Sequence, residues 1–179
     1  METIVLAQWE ELCDFFKEPF TEEGVAELKK MTSFSKHYSV YRLPENIGFM
    51  TNLIHIQVKS VNLVSLPESF GNLVNLKHLS IDNNSIAGFP SCILKCKKLE
   101  TLSMRECGLQ TLPEGILHME NLKLLDLRDN RLRTVPEGLW DMKVDLLIGE
   151  NFLKVLPEKV RKDFNSTNRY QGSGATFKD

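Results

Sequence analysis

Leu76-Lys77-His78-Leu79-Ser80-Ile81-Asp82-Asn83-Asn84-Ser85-Ile86 is the stretch on which the reading of this chain turns, and 23 residues later Leu99, Leu102, Met104, Cys107 and Leu109 fill the same five frame positions. A further 23 residues bring Leu122, Leu125, Leu127, Asn130 and Leu132. Prolines keep the same time. Six of the seven fall at 44, 67, 90, 113, 136 and 157, at intervals of 23, 23, 23, 23 and 21, each after an apolar residue, as in Leu66-Pro67-Glu68 and Leu112-Pro113-Glu114. Self-similarity at a fixed period of this length is the mark of a stacked repeat architecture.

Composition fits such a chain and excludes several others. Of 179 residues 26 are leucine, four of them within residues 1 to 50, twenty-two within 51 to 156 and none beyond Leu156. With 22 basic and 24 acidic side chains the formal net charge is −2, which argues against binding nucleic acid through counterion release. No apolar run approaches the ~20 residues that span a bilayer. The segment Met1 to Glu11 lacks the basic leader and apolar core of a secretory signal, so the expected compartment is the cytoplasm, or a host cell reached without such a signal. Cys13, Cys92, Cys96 and Cys107 have neither the density nor the spacing of a disulfide framework or zinc ribbon and read as free thiols.

The frame Leu-x-x-Leu-x-Leu-x-x-Asn/Cys-x-Leu resembles that of leucine-rich repeat proteins, and the returning Leu-Pro-Glu segments resemble their 23-residue "Ras-group" subclass. The resemblance covers about 115 residues. It implies an α/β solenoid in which one short parallel strand per repeat lines a concave face and irregular or helical segments form the convex one. The physics agrees, because a single repeat cannot bury its own leucines and must stack on neighbours. Asn84, Asn130 and Asn151 stand where the chain leaves the strand and can bond unpaired backbone groups of adjacent turns, with Cys107 as a small buried substitute. Two departures stand out. Val61 occupies the ladder position of the first full repeat, and the last repeat is two residues short, with Lys143 where a leucine is expected.

The ends read differently. Val5, Trp9, Leu12 and Phe16 make an amphipathic stripe over Ile4 to Lys17, ended by Pro19. A second helix starts at Thr21, with Glu22 and Glu23 in its first turn, Val25, Leu28 and Met31 on one face, and Lys29 and Lys30 near its end. The expected organisation is an N-terminal helical cap over 1–37, about six repeats over 38–157, and a short C-terminal cap with a flexible tail over 158–179, in which Val160 and Phe164 close the core. Trp140 reads as convex-side packing.

Strand residues alternate faces, which sends one set toward the concavity. That set is His55, Gln57 and Lys59; His78, Ser80 and Asp82; Thr101, Ser103 and Arg105; Leu124, Asp126 and Arg128; then Asp145, Leu147 and Gly149, with Phe152 just beyond. Lys59, Arg105 and Arg128 form a basic line interrupted by Asp82, while Asp126, Asp129, Asp145 and Glu150 gather acid toward the C-terminal repeats. Leu124, Leu147 and Phe152 suggest an apolar contact patch, to be met either by a partner or by the tail through Tyr170 or Phe177.

The same face is searched for chemistry. His78, Ser80 and Asp82 suggest a triad, but i, i+2 residues on a strand stand ~6.6 Å apart, too far for a proton relay. His55 and His78 are column neighbours without evident further metal ligands. No phosphate-binding, dinucleotide-binding or paired-cysteine motif occurs in the sequence. The expectation is a monomeric, non-enzymatic interaction module with no catalytic, cofactor or metal site and no nucleic-acid or membrane partner. It holds a protein on its concave face, and by resemblance that protein is a small GTPase or a phosphatase. The alternative is an adaptor or regulatory subunit docking through the helical cap, conceivably a bacterial protein acting inside host cells.

Overall fold

The computed structural model describes residues 8–37, 40–59 and 62–154, together with 156, 158 and 160. Two helices open it, α1 (Glu10–Phe16) and α2 (Glu22–Lys30). Six strands follow: β1 (Ser33–Lys36), β2 (His55–Val58), β3 (His78–Ser80), β4 (Thr101–Ser103), β5 (Leu124–Asp126) and β6 (Asp145–Leu147). They form one sheet in sequence order, every neighbouring pair parallel. The frame leucines stack along it, with Phe34, Ile56, Leu79, Leu102, Leu125 and Leu146 in one row, all buried.

Each of β1 to β5 returns through a short 3-10 helix. Four of these, Glu68–Asn72, Ser91–Lys95, Glu114–His118 and Glu137–Asp141, begin just after Pro67, Pro90, Pro113 and Pro136. Proline's ring fixes φ and biases the residue before it toward extended backbone, so it marks the corner where the returning segment starts. Phe70, Ile93, Ile116 and Leu139 point from these helices into the core. The Cys92 and Cys96 thiols lie here too, free and buried, and burial pushes them up to about 11 and about 12 respectively. They are held protonated and are not nucleophiles.

The ladder residues close the other corner. Asn130 accepts from the Cys107 and Leu109 amides through Oδ1 and donates through Nδ2 to the Met104 and Leu127 carbonyls. Asn84 and Asn151 repeat the pattern, each donating to a carbonyl of its own turn and one of the turn before. Cys107 stands in with a weak Sγ–H bond to the Ile81 carbonyl at 3.1 Å. The residue before each of these, Asn83, Glu106, Asp129 and Glu150, turns the chain in the left-handed region. In the first full repeat Asn62, two positions later in the frame, is left-handed, as is Gly108 at the same place two repeats on; Ser60 and Val61 lie outside the described residues.

In the cap, Thr21 Oγ1 accepts from the Gly24 amide and starts α2, whose Val25 and Leu28 are buried. α1 is described from Glu10 and ends at Lys17, which is left-handed; the first residues of the helix expected from Ile4 lie outside the described residues. Phe15 and Phe16 meet Phe34 of β1 edge-on at ring-centroid distances of 6.4 and 5.1 Å, and Lys36 Nζ lies over the Phe15 ring while donating to the Phe15 carbonyl. β1 therefore belongs to the sheet although it lies within residues 1–37. Its sequence, Ser-Phe-Ser-Lys, carries one apolar residue where later strands carry the leucine frame.

In the short last repeat, Val144 is buried in place of the missing leucine and Lys143 is exposed. Trp140 is buried on the returning side, and Val160 is buried at the C-terminal end. Phe164 and the tail, with Tyr170 and Phe177, lie outside the described residues.

Candidate interaction surface

Strand register arranges the outward side chains into columns. The first is Ser33, His55, His78, Thr101, Leu124 and Asp145; the second is Ser35, Gln57, Ser80, Ser103, Asp126 and Leu147. Ser33 and Ser35 escaped the sequence reading, and their signal was their place 22 residues before His55 and Gln57.

The first column begins polar. The His55 and His78 rings stack 4.4 Å apart and 6° from parallel, and His78 Nδ1 lies 3.2 Å from Thr101 Oγ1. Burial, and then the His55 ring beside it, lowers the His78 pKa, so this ring is held neutral below the pH at which a free histidine would take its proton. Around the pair lies an open depression of about 230 Å³, floored by Phe34, Ile56 and Leu79 and walled by hydroxyls and the Gln57 amide.

Where the strands end, the chain's charges pair with one another. Asp82 is the hub of the N-terminal half: it accepts from Ser80 Oγ at 2.9 Å, Ser103 Oγ at 2.5 Å and the Arg105 amide at 3.1 Å, and Lys59 Nζ lies 2.9 Å away. Burial works to raise its pKa, but those bonds outweigh it and hold the carboxyl below its ordinary value. Arg105 Nε lies 2.7 Å from Asp129 Oδ2, and Arg128 grips Asp126 with two bonds. The basic line read from the sequence is thus paired, Lys59 with Asp82, Arg105 with Asp129 and Arg128 with Asp126, while Asp145 and Glu150 of the acidic cluster stay exposed outside this ladder. Asp82 anchors this ladder and does not interrupt a basic line.

Ser80 and Asp82 also correct a distance argument. Their side chains meet although they are i, i+2, because the chain curls away from the strand after Ser80. The group forms no relay even so, since His78 turns to Thr101 and His55. Among the described residues no group of three or more His, Cys, Asp or Glu side chains could hold a metal ion.

The C-terminal half is more apolar. Leu124 and Leu147 sit diagonally across β5 and β6, both half-buried, and Phe152 is 64% exposed after the last strand. Asp145 is exposed beside them.

A family model described as Leucine Rich Repeat matches residues 75–96 and 121–142, two of the turns just described. The fold is a leucine-rich repeat solenoid. This repeat solenoid is similar to a leucine-rich repeat protein of Leptospira interrogans, with 23% identity, a TM-score of 0.60, and coverage of 78% of this chain and 42% of the other. It is similar also to internalin C2 of Listeria monocytogenes, with 22% identity, a TM-score of 0.65, and coverage of 73% and 57%. A TDR receptor shares 29% identity over 66% of this chain and 21% of its own, with a TM-score of 0.55. The leucine-rich repeat chain thus spans about half or less of the length of these structures. No curated protein matches its sequence. Leucine-rich repeat folds commonly serve as protein-interaction modules and are generally not enzymes. Among the described residues no helix is long and apolar enough to cross a membrane.

Proposed function

We propose that this leucine-rich repeat protein binds a protein partner through its concave face and carries out no chemistry of its own. The observation that carries the reading is the unequal state of that face. Its basic side chains are held in internal pairs, as in Lys59–Asp82, Arg105–Asp129 and Arg128–Asp126, whereas Leu124, Leu147 and Phe152 stay available. Side chains already paired lose little when covered, and half-buried apolar ones gain on losing water. The partner therefore takes its affinity from the apolar C-terminal patch and its orientation from the polar N-terminal columns.

A second reading places docking on the helical cap, where Phe20, between α1 and α2, is 47% exposed. Affinity capture from native cell extract separates the two. A Leu124→Glu, Leu147→Glu variant whose fold is verified by circular dichroism loses the captured partner under the concave reading. A Phe20→Glu variant loses it under the cap reading.

A further inference from the structure

The depression around His55 and His78 has an apolar floor and a polar wall without fixed charge. Its polar members are the two imidazoles and six neutral groups, Ser33, Ser35, Gln57, Ser80, Thr101 and Ser103; none is acidic. The charged groups that face the pair from neighbouring turns are already engaged. Asp82 is bound by Lys59, Ser80, Ser103 and the Arg105 amide. Glu100, at the start of the next turn, is held by Lys77 and Lys123. Lys36 at the end of β1 is turned onto Phe15. An anion entering the depression thus meets hydroxyl donors and two rings able to become positive, and no uncompensated carboxylate. A cation would meet the same two rings with nothing there to neutralise it.

From this complementarity we infer that the depression receives an acidic side chain, Asp or Glu, of the protein partner, seated against the stacked His55–His78 pair, and that seating it draws protons onto the pair. The inference rests on the concave face being the partner surface. Stacking makes the site sensitive to pH: the His55 ring 4.4 Å away opposes protonation of His78, and a carboxylate seated against the pair offsets that opposition. Burial and the neighbouring ring already disfavour the charged form of His78, and a seated carboxylate favours it. Affinity then rises as pH falls.

The test uses the whole chain and a blocked hexaglutamate peptide as probe, with histidine ring resonances followed by NMR from pH 7.5 to 5.5. The expected result is that the peptide moves His55 and His78 toward the protonated form while His37 and His118, exposed and off the depression, serve as references. Binding should be about tenfold tighter at pH 5.5 than at 7.5, as linkage requires when a carboxylate favours an adjacent imidazolium. A His55→Gln, His78→Gln variant should bind weakly and equally at both pH values; a hexalysine peptide should leave both rings unmoved. Peptide binding that leaves both rings unshifted, or that the double variant retains with its pH dependence, overturns the inference. Either failure leaves the concave reading standing, because that reading is judged by partner capture with the Leu124 and Leu147 variants.

Discussion

Arg128 folds back on Asp126, two residues before it, with Nε 2.9 Å from Oδ1 and Nη2 2.6 Å from Oδ2, and the aspartate so held is only 7% exposed. An arginine at this place reads in the sequence as a free charge for a partner, whereas its carboxylate partner stands at the end of the strand just before it. Arg128→Ala leaves Asp126 with only the amide of residue 128 as a partner and should cost about 2 kcal/mol in urea unfolding, the scale of hydrogen bonds to charged groups. Arg133→Ala, at an exposed position, should fall within about 0.5 kcal/mol of wild type. Equal effects from the two would deny Arg128 its structural role.

Asp82 ties β2, β3 and β4 together, and its carboxyl is held below the ordinary value. A depressed acid contributes stability that is complete above its unfolded pKa, about 3.9, and is lost as pH falls through the folded one. Asp82→Asn should therefore cost about 1 kcal/mol at pH 7. That difference from wild type should shrink as pH falls below about 3.9. A difference that grows toward low pH would reverse the sign of the account.

Asn130 is 3% exposed and satisfies two amides and two carbonyls of adjacent turns. Asn130→Ala strands buried backbone groups at about 1 to 3 kcal/mol apiece, so a loss of roughly 3 kcal/mol or more is expected in chemical denaturation. Because the repeats stack, the damage should lower the cooperativity of the whole transition. A loss below about 1 kcal/mol would mean that water replaces the amide there.

Gly24 sits within α2 where a helix would ordinarily favour alanine. A Cβ built there would come within 2.0 Å of the Pro19 carbonyl oxygen, so the turn before α2 packs against bare backbone. Gly24→Ala should destabilise the cap by about 1 to 3 kcal/mol, the scale of overpacking. Thermal unfolding that moves upward would show the turn to be loose.

Much of the fold was legible because the frame leucines and prolines keep one register, and stacking turns register directly into a sheet. β1 was not, because Ser33-Phe34-Ser35-Lys36 holds its place by one phenylalanine and the cap's aromatics, which no leucine count detects. A second amide ladder was likewise missed. Asn52, Asn75 and Asn121 donate to the Lys29, Thr51 and Lys97 carbonyls of the preceding turn, and their 23-residue spacing was the available signal, broken by Lys98. The columns of outward residues follow from strand alternation, but which charges are free on them does not, since ion pairing depends on how the chain curls at each strand end. The pairs Ser80–Asp82 and Asp126–Arg128 both arise from that curl.

The central claim is that a protein partner lies against the concave face, and photo-crosslinking tests it most directly. Phe152 and Phe20 are both exposed phenylalanines, one just after the last strand and one on the cap, so each can be replaced by a photoreactive benzoylphenylalanine with little change of shape. Irradiation in native extract should give a discrete protein adduct from position 152 and none from position 20. An adduct from position 20 alone would contradict the account and move the binding surface to the helical cap.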